Sequence, residues 1–343
     1  MKRKLVCIGN GLVGTRAIDM LLDAAPGDFE LTVFGAERHL PYDRIALSSV
    51  LAGEKSATQI ELHPRDWYAE HGVRLFAGSQ VSHIDREAKR VTAADGRVAD
   101  YDVLLVATGS NPFMLPLPGA DLPGVVSFRD IDDVEQMIAA SESYGRAVVI
   151  GGGLLGLEAA HGLMQRGMQV TVVHLMDKLM DRQLDDVAAR LLREQLEQRG
   201  MTVRLEVSTE RIVGEDRVTG IRFANGEEIA TDLVVMAVGV RPNITLAQDA
   251  GLECGRGIVV DDVLRTSDRS IYAIGECAQH SGRTYGLVAP LYEMCRVWAK
   301  HMAGEQGVAY GGSMEATRLK VAGIDVYSGG NFLGGDETEC ITM

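Results

Sequence analysis

Two glycine clusters carry the chemistry that is easiest to read. Gly9-Asn10-Gly11-Leu12-Val13-Gly14 follows the apolar run 5–8, and Gly151-Gly152-Gly153-Leu154-Leu155-Gly156 follows the apolar run 147–150. A G-x-G-x-x-G set between a strand and a helix is a dinucleotide cradle. Its first glycine allows the turn, its second lets the backbone approach a pyrophosphate, and its third lets helix and strand pack closely. The helix N-terminus then offers free N–H groups and the positive end of its dipole to the phosphates. Gly9, Gly11 and Gly14 take these roles in the first copy, where Leu12 opens the helix. Gly151, Gly153 and Gly156 take them in the second, followed by Leu154 and Leu155. One such cluster is a weak signal. Two imply two nucleotides bound at once, the arrangement needed to pass electrons from one dinucleotide to another.

A dinucleotide site usually has an acid about 20 residues beyond its glycines, which accepts the ribose hydroxyls. Glu37 stands near that interval after Gly14; the alternative is a solvated surface glutamate. In the second copy the corresponding position is His174, with no acid there and only Lys178 near for a 2′-phosphate. NADH against NADPH therefore stays open, with a lean to NADH. Glu158, two residues beyond Gly156, is either a bonding partner for the nicotinamide carboxamide or an acid that complements the first-turn dipole.

The elements that must position these residues read as two βαβ units and hence a parallel sheet in each. The first unit is a strand over 5–8, a helix over 13–22 and a strand over 31–34. The second is a strand over 147–150, a helix over 155–166 stopped by Gly167, and a strand over 169–174. A second echo supports a duplication. The run 104–112 (LLVATGSNP) recurs as 234–243 (VVMAVGVRPN), each a buried strand ending in glycine and then proline. The first run brings Ala107, Thr108 and Gly109 to its strand end, the second Gly239. Turn residues at Asp95-Gly96 and Asn225-Gly226 predict a small hairpin attached to each domain. Residues 183–199 read as an amphipathic packing helix with Leu184, Val187, Leu191, Leu192 and Leu196 on one face and Gly200 just beyond its end. The fold class is thus α/β with two dinucleotide-binding domains. The first comprises 1–112 and 245–312, the second 113–244, and a third domain begins at 313–343.

Composition excludes other classes. The formal net charge of −14 disfavours nucleic acid and anionic membranes as partners. No apolar run is long enough to span a bilayer. The basic start Met1-Lys2-Arg3-Lys4 leads within a few residues into the first cradle, so it reads as a strand of a cytoplasmic protein rather than a signal peptide. Five scattered cysteines (Cys7, Cys254, Cys277, Cys295 and Cys340) include no C-x-x-C pair, so a redox dithiol is not expected. Cys7 and Cys277 read as small buried hydrophobes. The eight histidines form no metal-ligand spacing, and no metal is expected.

A further signature, Ile271-Tyr272-Ala273-Ile274-Gly275-Glu276-Cys277-Ala278, is by itself a buried strand followed by glycine and an acid. Coming after two cradles and the Ala107-Thr108-Gly109 turn, it resembles the second FAD motif of the glutathione-reductase-like flavoproteins. That resemblance runs through residues 1 to about 300. It implies FAD at the first cradle, with Gly275 and Glu276 at the flavin site, and NAD(P)H at the second. The superfamily mostly places Asp where Glu276 stands. The missing C-x-x-C points to the branch similar to rubredoxin and ferredoxin reductases. A closer resemblance is to the large subunits of assimilatory NAD(P)H-dependent nitrite reductases. It rests on Leu40-Pro41-Tyr42-Asp43-Arg44-Ile45-Ala46-Leu47-Ser48-Ser49, Val172-Val173-His174-Leu175-Met176, Leu179-Met180-Asp181-Arg182-Gln183-Leu184-Asp185, Tyr285-Gly286-Leu287-Val288-Ala289-Pro290 and the tail 319–326. It implies Arg44 and Val81 as further FAD contacts, hydride transfer from NAD(P)H to FAD, and no protein group acting as catalytic acid. The acceptor it implies is an iron–sulfur and sirohaem module or a small electron-transfer protein; homodimerisation stays open. Two departures stand out. Ser49 replaces a lysine that relatives place near the flavin, and no cysteine quartet for an iron–sulfur or sirohaem site is present. The chain is not expected to reduce nitrite alone. Other readings are a stand-alone rubredoxin, ferredoxin or nitrate reductase partner, and, in another class, a nucleotide-binding redox sensor without turnover.

Overall fold

The computed structural model describes residues 2–314, 316–321 and 323–330. Chain contacts divide it into two compact units. The first is Met1–Arg44, Ile60–Asn111 and Arg241–Glu315; the second is Ile45–Gln59, Pro112–Val240 and Ala316–Met343.

The first unit is built on a five-stranded parallel sheet among the described residues. Its strands, in spatial order, are Ile271–Ala273, Val103–Val106, Arg3–Ile8, Phe29–Gly35 and Val73–Ala77. The central strand is wholly buried over Leu5–Ile8, as expected for a strand covered on both faces. The helix Leu12–Ala24 packs Ala17, Ile18 and Leu21 inward, and the helix Val288–Met302 supplies Met294, Cys295 and Trp298 to the same core. A three-stranded antiparallel sheet, Val81–Asp85, Arg90–Ala93 and Val98–Asp100, is attached.

The second unit repeats this plan. Its parallel sheet runs Thr202–Arg204, Gln169–Val173, Arg146–Ile150, Leu233–Met236 and Val125–Ser127, and its antiparallel sheet is Thr209–Gly214, Val218–Phe223 and Glu228–Ala230. The two sheets differ in where their outermost strand comes from. Beside Val103–Val106 lies a strand from late in the chain, whereas beside Leu233–Met236 lies one that precedes the cradle. That difference makes the first unit discontinuous.

Three expectations change. Residues 45–59 group with the second unit rather than with a continuous 1–112, because the helix Leu47–Ala52 docks on the helix Leu154–Gln165. Gly162 permits this: a Cβ there would stand 2.6 Å from Leu51 Cγ. Arg166 then caps the docked helix, donating from Nε to the Leu51 carbonyl at 2.7 Å and from Nη2 to the Val50 carbonyl at 3.1 Å. Second, the packing helix starts later, at Asp186, where the Asp185 carboxylate accepts from the Ala188 N–H. Its inward face is Ala189, Leu192 and Leu196, while Val187 is exposed, Leu191 is 51% exposed and Leu184 precedes the helix. Apolar side chains occupy two adjacent stripes of this helix, and only one meets the sheet. Third, the described hairpin Ala316–Val321 and Ile324–Gly329 groups by its contacts with the second unit. Residues 331–343, including Cys340, lie outside the described residues. Among the described residues no helix is long and apolar enough to cross a membrane.

Candidate functional site

The two cradles are near copies in atomic detail. Gly9 has φ +118° and Gly151 φ +121°, a region that L side chains avoid. A Cβ on Gly9 would fall 2.1 Å from the Ala107 carbonyl oxygen; on Gly151, 2.2 Å from that of Ala237. A Cβ on Gly14 or Gly156 would fall 2.0 Å from the carbonyl oxygen of Gly9 or Gly151. These four glycines are therefore demanded by the protein's own packing. Gly11 and Gly153 are different. Each is the extended N-cap of its helix, with φ −87° and −85°, no side-chain cap and nothing within 4 Å of where a Cβ would lie. Among the described residues nothing requires glycine there. A backbone held bare, at a helix N-terminus without a side-chain cap, fits the close approach of a pyrophosphate. The residues present at both cradles thus fit dinucleotides.

In the first unit the expected acid is held at the strand end. Glu37 lies just beyond Phe29–Gly35; Tyr42 donates to its Oε2 at 2.6 Å and Arg44 Nη2 to its Oε1 at 2.6 Å. A carboxylate offers about four acceptor positions, so these bonds orient it without exhausting it. Burial presses on the Arg44 guanidinium, but Tyr42, Glu37 and Glu276 more than offset it and hold its pKa above the ordinary value. That influence places Glu276 near Arg44, and Ser110 Oγ donates to Glu276 Oε2 at 2.8 Å. Gly275, at φ +85°, opens the short 3₁₀ turn Gly275–Cys277 that carries Glu276. Ala107 supplies the carbonyl that Gly9 approaches, Gly109 turns the chain at φ +65°, and Thr108 Oγ1 donates to the Asn243 carbonyl at 2.7 Å. Leu12 is the first residue of its helix. Val81 opens the strand Val81–Asp85 with its side chain packed in the hydrophobic core, which leaves only its main chain to face a ligand. Tyr42 and Ser110 were not candidates on sequence. A tyrosine and a serine are common, and only the fold shows what they hold.

In the second unit Leu154 and Leu155 open the helix, with Leu155 exposed, and Gly239 follows the strand Leu233–Met236 at φ +111°. Glu158 lies in this helix, and burial pushes its carboxyl up to about 7. His174 caps the end of Gln169–Val173 and is turned onto the cradle. Its Nδ1 accepts the Gly152 N–H at 3.1 Å, and its Nε2 lies 3.1 Å from Asp181 Oδ1. Asp181 was absent from the expected set. Ser49, for its part, donates to Glu54 Oε2 at 2.9 Å.

Cys7, Cys277 and Cys295 are buried; burial pushes the Cys7 thiol up to about 12 and raises the other two. Such thiols stay protonated and inert. Among the described residues no group of three or more His, Cys, Asp or Glu is placed to hold a metal ion.

The family model for pyridine nucleotide-disulphide oxidoreductases matches residues 3–303. The chain belongs to that family. The match and the reductase relatives identify it as an oxidoreductase with FAD and NAD(P)H as its two dinucleotides. Among curated relatives of this pyridine nucleotide-disulphide oxidoreductase, a nitrite reductase [NAD(P)H] of Bacillus subtilis (strain 168) is 52% identical over 342 residues, covering 100% of this chain and 42% of the relative. An assimilatory nitrate reductase electron transfer subunit of the same organism is 47% identical over 342 residues, covering 100% of this chain and 44% of the relative. The chain spans less than half the length of these two relatives. Among solved structures, a ferredoxin reductase for the CYP199A2 system of Rhodopseudomonas palustris superposes with a TM-score of 0.87 at 30% identity, covering 93% of this chain and 80% of that one. The putidaredoxin reductase of a covalent complex with putidaredoxin superposes with a TM-score of 0.89 at 27% identity, covering 96% and 81%.

Proposed function

We propose that this chain is the electron-input part of a nitrite or nitrate assimilation system, with FAD held in the first unit and NAD(P)H in the second. The observation that carries this is the paired geometry at Gly11 and Gly153, two bare helix N-caps that the protein's own packing does not require to be glycine. When bound, the two groups supply hydride transfer from nicotinamide to flavin, and the protein's part is binding, orientation and electrostatics.

The N-terminal turn of Leu12–Ala24 receives the FAD pyrophosphate, and Glu37 accepts its ribose hydroxyls while Tyr42 and Arg44 hold the carboxylate in place. Glu276, set by Ser110, supplies a further acceptor on that site. Ala107, Thr108, Gly109 and Gly275 form the backbone turns around it, and Val81 contributes through its main chain. In the second unit Gly153, Leu154, Leu155 and Gly156 present the amide donors for the second pyrophosphate, while Gly151, whose N–H donates to the Val173 carbonyl, makes the turn. Glu158, titrating near neutrality, both accepts from and donates to a carboxamide. Gly239 makes the turn that follows the strand Leu233–Met236. His174 contributes to the second ribose site. Electrons leave to an iron–sulfur acceptor, either an iron–sulfur and sirohaem module or a small electron-transfer protein, in the cytoplasm. The names of the relatives favour this acceptor class: they are nitrite reductases, an electron transfer subunit and reductases paired with ferredoxin-like proteins.

The test is anaerobic titration of the purified protein with NADH and with NADPH. Bound flavin whose visible absorbance bleaches is expected. Absence of flavin, or a flavin that neither nucleotide bleaches, overturns the reading. Gly11→Val should abolish FAD retention, whereas Gly153→Val should keep FAD and abolish bleaching. Identical behaviour of the two variants refutes the assignment of the units.

A further inference from the structure

We infer that Asp181 is the ribose acid of the second nucleotide site, with His174 as its positioning residue, and that the pair makes the site select NADH over NADPH. This rests on the second unit binding a pyridine nucleotide.

The second sheet strand ends at Val173, where a dinucleotide site places its ribose acid, yet the chain carries His174 there. The structure shows what the histidine does. The Gly152 N–H donates to its Nδ1, so Nδ1 carries no proton and Nε2–H donates to Asp181 Oδ1. An unbroken chain of hydrogen bonds runs from the cradle backbone through the imidazole to a carboxylate. Asp181 is delivered by a loop clamped to the same cradle. The Met180 N–H donates to the Gly152 carbonyl at 2.9 Å, and Met180 adopts φ +50°, unusual for a residue with a side chain. Leu179 is fully buried against the glycines; a Cβ on Gly152 would meet its Cδ2 at 2.6 Å and His174 Cγ at 2.9 Å. Held at 3.1 Å by one oxygen, the carboxylate has acceptor capacity left for vicinal hydroxyls.

The charge around it opposes a 2′-phosphate. Residues 177–186 carry Asp177, Asp181, Asp185 and Asp186 against Lys178 and Arg182. Lys178, the cation nearest to hand on sequence, is engaged by Asp186 at 2.5 Å. A dianionic 2′-phosphate brought beside Asp181 meets a like charge, whereas ribose hydroxyls meet an acceptor. Exposed Arg182 is the one side chain of the loop that argues the other way, and the test includes it.

The experiment measures dissociation constants of NAD⁺ and NADP⁺ by calorimetry on the FAD-loaded full chain, in wild type, Asp181→Asn, Asp181→Glu, His174→Ala and Arg182→Gln. FAD absorbance and the unfolding midpoint verify that each variant is folded. Wild type is expected to bind NAD⁺ more tightly. Asp181→Asn keeps an oxygen for His174 but loses the charge, and should narrow the preference by about tenfold, the scale of one hydrogen bond to a charged group. Asp181→Glu should restore part of it. His174→Ala should weaken NAD⁺ binding while leaving FAD retention unchanged. In wild type, ¹⁵N NMR of His174 should report the Nε2–H tautomer. A wild-type preference for NADP⁺ that Arg182→Gln abolishes overturns the inference, as does an unchanged ratio in Asp181→Asn. A flavin that neither nucleotide bleaches instead overturns the function proposed above, so the two failures are distinguishable.

Discussion

Glu158 gives the most quantitative prediction. Burial raises its carboxyl from an ordinary value of 4.5 to about 7. A shift of that size, at 1.36 kcal/mol per pH unit, is worth about 3 kcal/mol at most, and since part of the residue reaches solvent, screening trims it to about 2–3 kcal/mol. The folded-state pKa is raised, so the sign follows directly. Below pH 4.5 the group is neutral in both the folded and unfolded chain and imposes no penalty. Between about 4.5 and 7 the unfolded chain releases the proton while the folded chain keeps it, and stability falls. Above 7 the full penalty persists. Glu158→Gln removes the ionisation with little change in shape. The stability of the variant relative to wild type should therefore climb by about 2–3 kcal/mol from pH 4 to pH 8 and then level off. Urea unfolding of the FAD-loaded protein across that range measures it, and the difference between the two proteins cancels every other titrating group. A difference flat with pH would refute the burial argument. If the carboxyl also contacts the carboxamide, the apparent affinity for NADH should show a transition near 7 in wild type that is missing from Glu158→Gln.

Two further outcomes follow from packing. Leu196→Ala, at a fully buried position, should cost about 2–5 kcal/mol, while Leu191→Ala, 51% exposed on the same helix, should stay within about 0.5 kcal/mol; equal losses in chemical denaturation would contradict the observed face. Arg166→Met keeps the aliphatic stem but removes both bonds to the carbonyls of the docked helix, so residues 45–59 should lose hydrogen-exchange protection by about 2 kcal/mol with the parallel sheet unaffected.

The glycine spacings and the apolar runs before them determined most of the fold. They are local: a turn at φ near +120° and a helix packed against its own strand can be satisfied only by glycine, whatever the rest of the chain does. For the same reason the duplication, and with it two parallel sheets, was legible. The tertiary structure decided the remainder, because those facts depend on residues far apart in the chain. The amphipathic helix had two apolar stripes, and only docking on the sheet selected Leu192 and Leu196 over Val187 and Leu191. The segment 45–59 lies between parts of the first unit in sequence, yet Gly162 and Arg166 draw it into the second. At the second cradle, spacing alone left a histidine where an acid belongs. The loop that folds Met180 back on Gly152 brings Asp181 to that histidine, a juxtaposition set by hydrogen bonds to the cradle backbone rather than by any interval in the sequence.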